Sequence, residues 1–255
     1  MQTFLYTVAP MIKVENLKKS FGAQEVLKGI NLTAPKGKIT FIIGRSGSGK
    51  SVLLKHILGL IKPDEGAVYI NNRNIVTANK KELTEIRKHF GVMFQNVALF
   101  DSMTVFENIA FPLIEHTKLS KEKIRKKVKE KLSLVGLEGV EDKMPSELSG
   151  GMQKRVGLAR AVILDPEILL FDEPTTGLDP VICDSVDELI LETQRKLNLT
   201  CLVISHDIPA TFKLAHFVAM LDKGKIAEFG TPEQLKNSKQ EMVREFLKRD
   251  LYFNQ

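Results

Sequence analysis

Residues 39–60 read ITFIIGRSGSGKSVLLKHILGL. Ile39–Ile43 is a short apolar run of the kind that makes a strand buried on both faces. A glycine-rich loop follows, and Ser51–Leu60 then reads as helix. The loop Gly44-Arg45-Ser46-Gly47-Ser48-Gly49-Lys50-Ser51 fits G-x-x-x-x-G-K-[ST] between a strand and a helix, the context its chemistry requires. Backbone N–H groups of such a loop face phosphate oxygens, and the helix N-terminus adds a positive field. Lys50 supplies a point charge to β and γ phosphates, and the Ser51 hydroxyl is the expected Mg²⁺ ligand. A tight glycine turn without a ligand is the plain alternative.

A second element supports the phosphate reading. Ile168-Leu-Leu-Phe-Asp172-Glu173 is an apolar strand ending in two acids. Ligands gather at the carboxyl ends of such strands. Asp172 is expected to hold Mg²⁺, directly or through water, and Glu173 to orient or deprotonate the attacking water. Leu148-Ser149-Gly150-Gly151 opens a run with Val156, Ala159 and Val162 at helical spacing, so it is a second glycine-rich helix N-terminus. Without a ligand it would be an ordinary cap. His206 follows the apolar strand Cys201–Ile204 at the same kind of strand end.

The surrounding pattern is α/β. Residues 12–17 and 26–33 read as paired strands around Gly22, Pro63–Gly66 as a turn, and Ala67–Ile70 as another strand. From about 96 to 164 the pattern turns helical and lysine-rich, an inserted lobe. Strand signals return at 168–171 and 201–204 around a helical 180–197, and 216–230 reads as a hairpin. Strands alternating with helices predict a mostly parallel sheet, accompanied by an N-terminal antiparallel β subdomain.

Composition excludes several classes. The chain has 255 residues, 43% hydrophobic and 27% charged, which is ordinary for a globular protein. The apolar runs are strand-sized, far short of the ~18 residues of a membrane span, so any membrane role is expected to run through a partner. Two cysteines, Cys183 and Cys201, make neither a disulfide framework nor a metal spacing, which fits a reducing cytosol. The first ten residues lack the pattern of a secretory signal, and no function is attached to them. The formal charge is +6, and residues 118–131, with eight basic and two acidic side chains, carry all of it. Ile124, Val128 and Leu132 mark that stretch as an amphipathic helix with a wet basic face. It reads as a solvated face, or as a weak contact with an anionic membrane. No aromatic or glycine-rich pattern accompanies the charge, which argues against nucleic acid.

Taken together, the phosphate loop, Gln95, LSGG, the Asp172-Glu173 strand, Gly177-Leu178-Asp179 and His206 resemble the nucleotide-binding subunit of ABC transporters over about residues 11–235. LSGG, starting 24 residues before Asp172, is the most specific element. The resemblance implies a P-loop NTPase core that hydrolyses ATP with Mg²⁺. It implies that Phe21 stacks on adenine, although an ordinary turn aromatic is also consistent. It further implies that Gln95 reaches Mg²⁺ and the water, and that Ser149, Gly150 and Gly151 contact the γ-phosphate from the opposite chain of a homodimer. Asp179 falls on the interface loop, and His206 on the switch histidine. Met152 departs from the usual Gln after LSGG, with Gln153 next. The serine and both glycines remain.

SVLLKHILGLIKPDEG, VMFQNVALFDSMTVFENIAFPLIEHTKLS and MPSELSGGMQKR resemble more narrowly the ATPases of MCE-associated phospholipid transport systems. That implies a bacterial complex with an integral membrane permease and an MCE-domain lipid-binding protein. The ATPase would lie peripherally on the cytoplasmic face of the inner membrane. The rivals are another ABC importer or exporter, and a cell-division-type regulatory subunit without cargo. Residues 236–255 read as a helical tail with Val243, Phe246, Leu247 and Leu251 on one face. It is expected to pack on its own domain or to join two ATPase chains through Phe246.

Overall fold

A computed structural model describes residues 9–252, with side chains to Lys248. Residues 1–8 and the Leu251 side chain lie outside what is described. The described chain forms two compact units, residues 9–87 with 200–252, and residues 88–199.

In the first unit, β1 (Pro10–Phe21) and β2 (Gln24–Pro35) form a hairpin whose register closes at Phe21 opposite Gln24. β4 (Glu65–Ile70) pairs with the other edge of β1, and the two-residue β5 (Arg73–Asn74) extends it, giving the antiparallel order β2-β1-β4-β5. Alternate residues Ile12, Val14, Leu27 and Val68 are buried, the period-two signature of a sheet with one covered face.

The parallel part of this unit centres on β3 (Ile39–Ile43), which pairs with β8 (Thr200–Ile204) on one side and β9 (Phe217–Asp222) on the other. Every residue of β3 and of β8 is buried, so both read as unbroken apolar runs and not as alternation. β10 (Lys225–Gly230) returns antiparallel to β9. The helices here are α1 (Lys50–Ile57), α2 (Lys80–Arg87), α7 (Ile208–Leu214), α8 (Pro232–Lys236) and α9 (Glu241–Tyr252).

Val243, Phe246 and Leu247 are all buried within the single chain, where α9 packs on α7 and α8. Phe246 is 7% exposed within its own unit.

The second unit contains the parallel pair β6 (Phe90–Met93) and β7 (Ile168–Asp172). Its helices are α3 (Val105–His116), α4 (Lys121–Leu134), α5 (Gly150–Ala161) and α6 (Pro180–Leu197). It is wider than the helical stretch read from the sequence, because β6, β7 and α6 belong to it. Helix starts are fixed by side chains. Thr104 and Glu107 make a reciprocal capping box for α3, and Ser120, Ser149 and Asp179 cap α4, α5 and α6. Ile124, Val128 and Leu132 of α4 are buried, as the four-residue spacing predicts. Lys127 and Lys131 turn back to Asp165, each at 2.6 Å.

Candidate functional site

The phosphate-type loop lies in the first unit, between β3 and α1. Gly44, Gly47 and Gly49 all have positive φ, at 150°, 75° and 108°. A Cβ on Gly44 would lie 2.0 Å from the Leu221 carbonyl oxygen, so the loop's path there is closed to any side chain. Gly49, left-handed, then turns the chain into α1. Lys50 is buried and bends back over the loop, donating to the carbonyls of Gly44 at 2.7 Å and Arg45 at 3.2 Å. Its charge is thereby centred on the loop backbone. Arg45, Ser46, Gly47 and Ser51 are exposed, while Ser48 and Gly49 are buried. The buried Ser48 hydroxyl has no hydrogen-bond partner. Such a concave ring of backbone with one lysine suits an anion.

Two other expected residues lie in this unit. Phe21 sits at the β1–β2 turn, 51% exposed, with the Lys19 ammonium 5.5 Å from its ring centre. An exposed aromatic face at a hairpin tip is free to stack on a planar ring. His206 is exposed and lies just after β8.

In the second unit, Asp172 ends β7 and Glu173 follows with φ 52°, a left-handed conformation that a residue with a Cβ adopts at a cost of about 1–2 kcal/mol. Backbone strain at a strand end marks a constrained site. The Thr176 hydroxyl donates to Glu173 Oε2 at 3.1 Å. Ser149 caps α5, its hydroxyl accepting from the Met152 N–H at 3.3 Å, and is itself exposed with Gly150. Asp179 caps α6, with Oδ1 accepting from the Ile182 N–H at 3.1 Å. Both residues therefore have a local structural use.

Gln95 is exposed at the end of β6, and its segment is held from behind by α5. Lys154 Nζ donates to the Gln95 carbonyl at 2.6 Å. Arg160 donates to the carbonyls of Val97 at 2.5 Å and Ala98 at 2.8 Å. Burial lowers the Lys154 ammonium and the Arg160 guanidinium below their usual pKa values. The sequence reading missed this support. The signal was the spacing of Lys154, Gly157 and Arg160 on one helix.

The donors expected for Mg²⁺ are a hydroxyl (Ser51), an amide oxygen (Gln95) and one carboxylate (Asp172). Among the described residues no cluster of three or more His, Cys, Asp or Glu could hold a metal alone. Few hard oxygen donors and no protein cage is the donor set of an ion that shares its shell with phosphates, so the residues fit Mg²⁺. Thiol chemistry is absent from this set. Cys201 is fully buried, and burial pushes its thiol pKa far up.

A phosphate-type loop on a parallel α/β core, a second glycine-rich helix start and an acid pair at a strand end define a nucleotide-binding cassette. The model of the ABC transporter family matches residues 27–176, and the chain belongs to that family. It is 45% identical over 236 residues to the "probable ribonucleotide transport ATP-binding protein mkl" of Mycobacterium tuberculosis, covering 92% of this chain and 66% of that protein. The chain thus spans about two thirds of the length of the mycobacterial relatives it matches. The "intermembrane phospholipid transport system ATP-binding protein MlaF" of Haemophilus influenzae is 43% identical, over 93% of this chain and 90% of that one. Among solved structures, cbiO1 of Clostridium perfringens, described as part of the ABC transporter complex cbiONQ, superposes with a TM-score of 0.84 at 31% identity, covering 94% of this chain and 95% of that one. The dimeric cassette MJ0796 superposes with a TM-score of 0.78 at 35% identity, covering 87% and 99%.

Proposed function

We propose that this chain is the ATP-hydrolysing subunit of an ABC transporter that drives phospholipid transport between bacterial membranes. The observation that carries the reading is the match to the Haemophilus phospholipid protein at 43% identity over nine tenths of both chains. The mycobacterial relative, whose name gives ribonucleotide transport, is matched over only 66% of its length.

Each residue has one task. Lys50 exchanges the carbonyls of Gly44 and Arg45 for β and γ phosphate oxygens, and the loop amides of Arg45 to Ser51 hold the remaining charge. Phe21 stacks on the adenine. Ser51, Gln95 and Asp172 would hold Mg²⁺, which would supply neutralising positive charge to the phosphates. Glu173 orients the attacking water and takes its proton as the water oxygen bonds to the γ-phosphorus and the bond to ADP breaks. His206 donates to a γ-phosphate oxygen. Ser149, Gly150 and Gly151 act on the nucleotide of the opposite chain in a homodimer, with Asp179 at the interface. No helix among the described residues is long and apolar enough to cross a membrane, so translocation belongs to a permease. An MCE-domain protein receives or supplies the lipid, and the complex sits at the cytoplasmic face of the inner membrane. Phe100, 43% exposed and backed by the Phe111 ring at 5.2 Å, is the proposed permease anchor.

The test is reconstitution of the chain with its permease and MCE protein in liposomes. ATP-dependent transfer of a fluorescent phospholipid is expected, and Phe100→Glu should uncouple it by weakening co-purification. ATP-driven uptake of ribonucleotide with no lipid transfer would replace the reading with its rival.

A further inference from the structure

Helix α5, capped by Ser149, runs along the back of residues 95–100. From Lys154 to Arg160 a helix advances about 9 Å, while residues 95–98 run irregularly past it, with bends at Gln95 and Asn96 and Ala98 at φ 50°. Two cations about one and two-thirds turns apart on α5 meet that segment at both ends. Lys154 holds the Gln95 carbonyl at 2.6 Å, and Arg160 holds those of Val97 and Ala98 at 2.5 and 2.8 Å. Between them Gly157 lets the segment approach: a Cβ there would lie 2.0 Å from Val97 Cγ1. The Arg160 guanidinium then covers the Phe100 ring, 5.9 Å from its centre.

We propose that α5 is a ruler between Ser149 and Gln95, with Lys154 and Arg160 as positioning residues that act through backbone carbonyls and Gly157 as the spacer that permits contact. The inference rests on the ATPase reading above and adds to it a fixed link between the glycine-rich signature and the glutamine. Lys154 buries an ammonium against a neutral carbonyl, at the cost of desolvation, which a purely structural contact could avoid with an apolar side chain. The positive charge has value where an exposed glutamine must be held in one place.

The experiment uses the full-length chain with MgATP, a fluorescent ATP analogue for binding, and Mg²⁺ titrations of turnover. Lys154→Met removes the donors and keeps the length of the side chain. It should lower kcat by about 10- to 100-fold, raise the Mg²⁺ concentration for half-maximal turnover, and leave nucleotide binding within about twofold. In a Gln95→Ala background the same substitution should cost almost nothing more, because its effect runs through that side chain. Gly157→Ala should give the same signature with Lys154 intact, and Val97→Ala should rescue it by clearing the clash. Unchanged kcat and Mg²⁺ dependence in the folded Lys154→Met chain, or full additivity with Gln95→Ala, overturns the proposal while the ATPase reading stands. Should Lys154→Met fail to fold, an unrescued Gly157→Ala decides against it. A wild-type chain that neither binds nor hydrolyses MgATP overturns both.

Discussion

Thr176 holds the Glu173 carboxylate from three residues downstream, hydroxyl to Oε2 at 3.1 Å, while the Glu173 backbone sits at φ 52°. The residue proposed to activate water is therefore fixed at both its backbone and its side chain. Glu173→Gln keeps the Thr176 contact and the shape but removes the base. ATP hydrolysis should fall at least about 100-fold, while binding of a fluorescent ATP analogue persists. Turnover near the wild-type rate would take Glu173 out of the role.

Ser149 is expected to serve the opposite chain. Ser149→Arg adds bulk at the start of α5 and removes its cap, at a cost of about 1 kcal/mol of stability, yet leaves the loop at Gly44–Ser51 untouched. The variant should bind ATP and fail to hydrolyse it. Lys50→Ala should fail at binding. Mixed in equal amounts, the two inactive chains should regain activity at no more than one site per mixed dimer. A strictly monomeric chain hydrolysing ATP at full rate would refute sharing across chains.

The tail prediction follows from burial. Phe246 is covered by its own chain, so Phe246→Ala should cost about 3 kcal/mol, as for other buried phenylalanines. The loss, read from urea unfolding, should be the same at low and high protein concentration. A loss that shrinks on dilution would restore a role between chains.

Much of the fold was legible because apolar runs met glycine motifs. β3, β7 and β8 are continuous buried strands next to Gly44, Asp172 and His206, and hydrophobic continuity with a functional edge is a strong signal. The stretch from 71 to 95 stayed unassigned for physical reasons. β5 has two residues, β6 has four with Gly91 among them, and α2 buries only Ile86, so none shows enough periodicity to read. At the site, the residues proposed to face a ligand read as motifs in the sequence. Lys154 and Arg160 did not, since their partners are backbone carbonyls, which no sequence names; only their spacing with Gly157 on one helix hinted at a shared face.

Asp165 is the acid that α4 turns toward, and it gives the clearest dependence on pH. Burial alone would raise its pKa, but hydrogen bonds and charge from Lys127 and Lys131 outweigh that and hold it below the usual carboxylate range. A carboxylate whose folded pKa is depressed stabilises the fold above its unfolded pKa, and the contribution is lost as pH falls through the folded value. Lys131 is buried while Asp165 is about half exposed, so solvent screening trims the pair, and its loss should cost about 1–2 kcal/mol. Asp165→Asn is the suitable variant, because asparagine tolerates the φ of 52° found there. Its Tm should lie below wild type at pH 7. The gap should begin to narrow as pH falls below about 4, the unfolded value, and close once pH has fallen through the depressed folded value, where the wild-type carboxylate is protonated too. A gap of the same size at pH 7 and pH 3 would mean that the amide perturbs packing and that the charge pair contributes nothing.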